Sequence, residues 1–169
     1  MNPRGVVVNE NTNGIITVNG HSYEDPAKHT NNTNFALLVS KHFSEPFHDS
    51  NGYGESIARL SNMLGGGVMV QRFGDLIRGR RSTKARIEES FVTPTLSATP
   101  GDLSLVMPKR ILDGIIEMIY AWTRSHREPR MTILCFMAWR LNSTTWRLRL
   151  TKIWKPATRV SLLSETAAA

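Results

Sequence analysis

The chain has 169 residues, a formal charge of +7 and 40% apolar residues, enough for one ordinary domain with its own core. A pI near 10.1 usually indicates nucleic acid or an anionic surface as partner, but the charge is unevenly placed. Residues 1–121 carry 12 Lys+Arg against 12 Asp+Glu, whereas 122–169 carry 9 against 2, so the excess belongs to the tail alone. All four tryptophans and the single cysteine, Cys135, lie in the tail, and all 12 glycines lie before it. The break describes two kinds of sequence, 1–121 and 122–169. One cysteine excludes an internal disulfide and fits a reducing compartment. No apolar run reaches signal-peptide or membrane-span length, so the expectation is a cytoplasmic protein with no membrane partner.

In chain order, the β-branched runs 5–9 and 14–18 flank the turn cluster Asn11-Thr12-Asn13-Gly14, which predicts a hairpin with a loop longer than two residues. Asn19-Gly20 reads as a second turn and Pro26 as a breaker. A polar loop then leads to Phe35-Ala36-Leu37-Leu38-Val39, a short buried strand. Residues 40–53 are rich in turn formers and read as loop. A helix is predicted from about Glu55 to Leu64, with Ile57, Leu60 and Leu64 on one face and Gly65 as the stop. Val68-Met69-Val70 reads as extended, and Asp75–Arg81 as a short helix ending near Gly79. Residues 92–101 form a Pro/Thr-rich loop. Pro108 opens a helix from Lys109 to about Ala121, with Ile111, Ile115 and Ile119 aligned. Beyond Trp122 the periodicity degrades, except that Trp146–Leu150 alternates as a strand does.

Few residues carry chemistry by spacing. Gly65-Gly66-Gly67 admits two readings: a loop letting backbone N–H groups approach phosphate or a flavin, or a helix stop with a tight turn. It is no dinucleotide fingerprint, because a helix precedes it. Gln71, Arg72 and Asp75 can line a pocket, with Arg72 holding a carboxylate or phosphate, or can form surface polar groups and a structural ion pair. The run Arg78–Arg86 can bind phosphate groups or form a solvated face offset by Glu88 and Glu89, and the solvated face is the favoured reading. The histidines lack metal-ligand spacing, so no metal site is expected. His21 is the one histidine considered for proton transfer. The tail's interleaved Trp and Arg resemble a nucleic-acid surface.

Five segments, MNPRGVVVNE, ITVNGHSY, NTNFALLVSKHF, NGYGESIARLSNMLGGGVMVQRFGDL and TPGDLSLVMPKRILDGIIEMIYA, jointly resemble bacterial FAD-dependent dehydrogenases of uncharacterised type. The resemblance implies an α+β partial middle domain, on the substrate side of a two-domain Rossmann-type flavoprotein. In such proteins the FAD domain is built from both ends of the chain, and Met1 matches an internal methionine. The full-length family would use FAD and a small-molecule substrate. Cofactor- or substrate-binding candidates within the family-like segments are Asn19, Gly20, His21, Gly65, Gly66, Gly67, Gln71 and Arg72. The resemblance carries over no catalytic residue.

Relatives continue past Ala121 with a sequence like LDKIAPG and later a G-D-G-S-G turn that contacts FAD. Back-translated from Trp122 with suitable codons and read one nucleotide earlier, the tail gives LDKIAPGTANDDTLLYGVE. The closing Ser164 to Ala169 gives I-G-D-G-S-G in the same register. The expectation is a frameshift near codon 121 and an out-of-frame, poorly packed tail. This chain would then be an inactive oxidoreductase remnant that binds no FAD and self-associates through exposed apolar surface. The alternative is a small basic nucleic-acid-binding protein that uses the Trp/Arg tail.

Overall fold

The computed structural model describes residues 2–125, 134–138 and 145–153, with side chains described through Arg124. Strands β1 (Val6–Thr12) and β2 (Ile15–His21) form an antiparallel hairpin. Thr12 pairs with Ile15, so the loop is the two residues Asn13-Gly14 rather than the longer cluster predicted. Both have positive φ, 52° and 80°, the pairing that matches strand twist in a two-residue turn and that Asn-Gly accommodates. Asn19-Gly20 is no second turn. The two residues pair with Val8 and Val7 inside β2, because β1 extends far enough to hold them.

A five-stranded sheet has the order β3-β7-β6-β4-β5, from β3 (Asn32–Ser40), β4 (Met69–Arg72), β5 (Thr99–Pro100), β6 (Leu134–Ala138) and β7 (Thr145–Ile153). Its pairs are antiparallel except the short β4–β5 ladder. With helices on an antiparallel sheet the architecture is α+β, and the described residues hold no doubly wound parallel sheet. β3 begins three residues before the predicted apolar run. Asn32, Thr33 and Asn34 are buried in it, and the polar groups of the two asparagines find partners. Asn34 exchanges backbone bonds with Asn2, accepts from the Asn2 side chain and donates to Val6 O, while Asn32 donates to Thr93 O.

Helix α1 spans Ser50–Gly65, starting five residues before the prediction. The Asp49 carboxylate accepts from Gly52 N and caps a first turn whose Asn and Gly read as loop. Its buried face is Ile57, Ala58, Ser61 and Gly65; Leu64, placed there from spacing, is half exposed. The stop is Gly66, not Gly65, with φ 63°. No atom lies near a Cβ built at Gly66, so only backbone strain opposes a side chain there. Gly66→Ala should therefore cost about 1 kcal/mol, and Gly66→Asn less, since Asn tolerates the left-handed region. Urea unfolding of the two variants checks this; an Ala variant as stable as wild type would count against the cap.

Short α2 (Phe73–Leu76) ends three residues before Gly79, and α3 (Lys84–Glu88), not predicted, starts on the Thr83 hydroxyl, which accepts from Arg86 N. The predicted helix after Pro108 is α4 (Lys109–Ser125), and its Ile111, Ile115 and Ile119 are all buried. It runs past Ala121, so Trp122 meets Phe35 edge-on with ring centroids 4.4 Å apart.

Among the described residues two apolar clusters form. One joins α1, α2 and α4 with Phe35 and Met69; the other joins the hairpin's Val7 and Val18 to Val68, Val70, Ile87 and Val92. Adjacent Met69 and Val70 enter different clusters, as alternation across a strand requires. Exposed large apolar side chains, among them Phe47, Met63, Phe91 and Leu105, sit on different elements. Beyond Ala121, β7 pairs with β3 along its full length and β6 pairs with β4. The boundary predicted at residue 121 is thus crossed by sheet hydrogen bonds. The side chains of both strands, and residues 126–133, 139–144 and 154–169, on which the expectation for tail packing falls, lie outside the described residues. No described helix is long and apolar enough to cross a membrane.

Candidate functional site

A dense polar arrangement lies where β4 runs into α2. Gln71 is fully buried. Its Nε2 donates to Arg80 O (2.9 Å) and, at 3.4 Å, to Asp102 Oδ1, while its Oε1 accepts from Leu103 N (2.8 Å). One carboxamide thus ties the loop after α2 to the 3-10 turn Leu103–Leu105. Asp75 is 2% exposed and pairs with the 48% exposed Arg80 through Nε at 2.7 Å. Ser82 Oγ donates to the other Asp75 oxygen (2.9 Å) and accepts from Arg72 N (2.9 Å). Burial pushes the Asp75 carboxyl up. The Ser82 hydrogen bond, the Arg80 hydrogen bond and charge, and the Arg86 charge outweigh it and hold the group below its ordinary 3.8.

This arrangement leaves the two β4 candidates engaged. Gln71 spends donor and acceptor on neighbouring chain. Arg72 Nη1 donates to Arg86 O at 3.2 Å, and its Nε is buried with no hydrogen-bond partner among the described residues. Asp75 belongs to a structural ion pair, one of its two predicted readings. Its signal was the acid inside FGDLI with arginines following.

The three glycines lie at the other end of β4. Gly65 closes α1 with its carbonyl accepting from Thr99 Oγ1 (2.6 Å), Gly66 is the cap, and Gly67 O accepts from Asn62 Nδ2 (3.1 Å). Asn62 also exchanges two bonds with the Ile16 backbone, docking α1 onto the hairpin, a role no local spacing signalled. The glycines therefore follow a helix C-terminus, the negative end of its dipole. A phosphate cradle uses the opposite end. These residues therefore do not offer a diphosphate the helix N-terminus that favours it.

Asn19, Gly20 and His21 end β2, and His21 is exposed. Gly67 reaches the hairpin at Ile16, three residues earlier, so the candidates divide into a hairpin group and a β4 group. Among the described residues no three His, Cys, Asp or Glu side chains converge as metal ligands do.

No family model, no curated protein and no solved structure matches the chain.

Proposed function

We propose that residues 1–121 are a substrate-side segment of an FAD-dependent oxidoreductase, and that this 169-residue chain neither holds FAD nor turns over substrate. In such enzymes the flavin carries the hydride equivalents, and the protein supplies binding and orientation. The observation that carries the reading is the shifted frame. With codons chosen for it, a single one-nucleotide register lets the tail from Trp122 be read as LDKIAPG and its last six residues as I-G-D-G-S-G, the continuations that the resemblance of 1–121 implies. The chain contains no G-x-G-x-x-G, and its one glycine cluster closes a helix. We assign the chain to the cytoplasm on the same reading.

Purified protein should be colourless, and titrated FAD should keep its fluorescence without saturable quenching. A yellow preparation with bound FAD would overturn the inactive assignment. Tight DNA binding whose affinity falls steeply with salt would favour a basic nucleic-acid-binding protein instead. The nucleotide sequence around codon 121 tests the origin directly: if the other frame does not read LDKIAPG, the frameshift is wrong.

A further inference from the structure

We propose that Asn19 is a self-modification site, converting to aspartate and isoaspartate in the folded protein ahead of the other two Asn-Gly pairs. The chain has three such pairs, Asn13-Gly14, Asn19-Gly20 and Asn51-Gly52. In each, the reaction needs the glycine backbone nitrogen to reach the asparagine Cγ. The fold treats the three nitrogens differently. Gly14 N donates to Asn11 Oδ1 at 2.9 Å, in the tight turn. Gly52 N donates to Asp49 Oδ1 at 2.8 Å, in the first turn of α1, where helical backbone turns the nitrogen away from the preceding side chain. Gly20 N alone among the three approaches its own neighbour's carboxamide, lying 2.9 Å from Asn19 Oδ1.

The strand register explains this. A two-residue loop makes Thr12 and Ile15 a hydrogen-bonded pair, and such pairs alternate along an antiparallel ladder. Val7 and Gly20 then form a pair without mutual hydrogen bonds. Val7 bears this out, since its N–H and its carbonyl both bond the Thr95 hydroxyl, at 2.8 and 3.0 Å. The Gly20 N–H accordingly points away from β1, toward the Asn19 side chain. Asn19 Nδ2 donates to Glu10 Oε1 at 2.8 Å. That bond fixes the carboxamide with its amine toward Glu10 and its carbonyl toward Gly20. The Gly20 nitrogen is thus held against the carboxamide whose Cγ it must reach, and orientation of this kind favours attack.

The step balances with water as the one co-reactant. Solvent base takes the Gly20 amide proton, a bond forms between that nitrogen and Asn19 Cγ, and the Cγ–Nδ2 bond breaks. The amine leaves as ammonia, carrying a proton from solvent. Water then opens the succinimide at either carbonyl, giving aspartate or isoaspartate. No atom is oxidised or reduced. Either product places a second carboxylate beside Glu10, and isoaspartate adds a methylene to the backbone within β2.

The full chain is incubated at mildly alkaline pH, natively and in denaturing urea, and digested. The peptides bearing the three asparagines are followed by mass and by isoaspartate-specific methylation. In the native protein Asn19 should convert about tenfold or more faster than Asn13 and Asn51, and in urea that lead should vanish. Equal native rates, or Asn13 converting first, would overturn the proposal. So would a lead that persists in urea, since neighbouring sequence rather than folded geometry would then be responsible. None of these outcomes depends on flavin binding.

Discussion

Asp75→Ala should destabilise the protein by about 3 kcal/mol at neutral pH, through the loss of two hydrogen bonds to a charged group and one stranded hydroxyl. Ser82 is 1% exposed, and without Asp75 its hydroxyl proton has no acceptor while its oxygen still serves Arg72 N. Arg80 is 48% exposed and rehydrates, so its share of the loss is discounted. Asp75→Asn keeps the shape and removes the charge, and makes the pH test clean. The folded carboxyl titrates below its ordinary 3.8. Its stabilisation is therefore complete above the unfolded value and disappears as pH falls through the folded one. The stability gap between wild type and Asp75→Asn should be full near neutrality and close only in acid, below about pH 4. Urea unfolding across that range measures it. A gap that is constant with pH would show that the Asp75 charge does not hold this corner together.

Ile119→Ala should cost about 3–4 kcal/mol, the range for emptying a well-packed aliphatic site. Ile119 is 0% exposed and lies one turn from Ile115, which is 1% exposed. Alanine is the better helix former, so the whole loss reports packing against the cluster that contains Phe35, Ile57 and Met69. Glu117→Ala, on the exposed face of the same helix, should change stability by less than about 0.5 kcal/mol. Thermal unfolding should place Ile119→Ala roughly 10 °C below wild type and Glu117→Ala beside it. Equal midpoints for the two variants would mean that α4 is not docked as described.

The features legible in the chain itself are those whose cause is local. Asn13-Gly14 turns the hairpin because both residues accept positive φ. Ile111, Ile115 and Ile119 recur at helical spacing and go inside together. A glycine run follows Leu64 because a left-handed residue is a common way to stop a helix, although that Gly66 rather than Gly65 takes that conformation was not legible. Of the candidate site, the residue types were legible but their duties were not. Gln71 and Arg72 attract notice as polar groups beside glycines, yet Gln71 is committed to Arg80 O and Leu103 N, the latter 32 residues along the chain.

The tertiary structure alone decided that Asn32, Thr33 and Asn34 form strand, that Asn19-Gly20 pairs instead of turning, and that Trp122 joins the core at Phe35. It also decided that β6 and β7 lie between β3 and β4. The physical reason is the same in each case. A polar residue is buried, or an extended run is paired, only when a distant segment supplies the missing donors, acceptors or apolar contacts. Periodicity along one stretch records which side chains share a face, and contains nothing about what that face will meet.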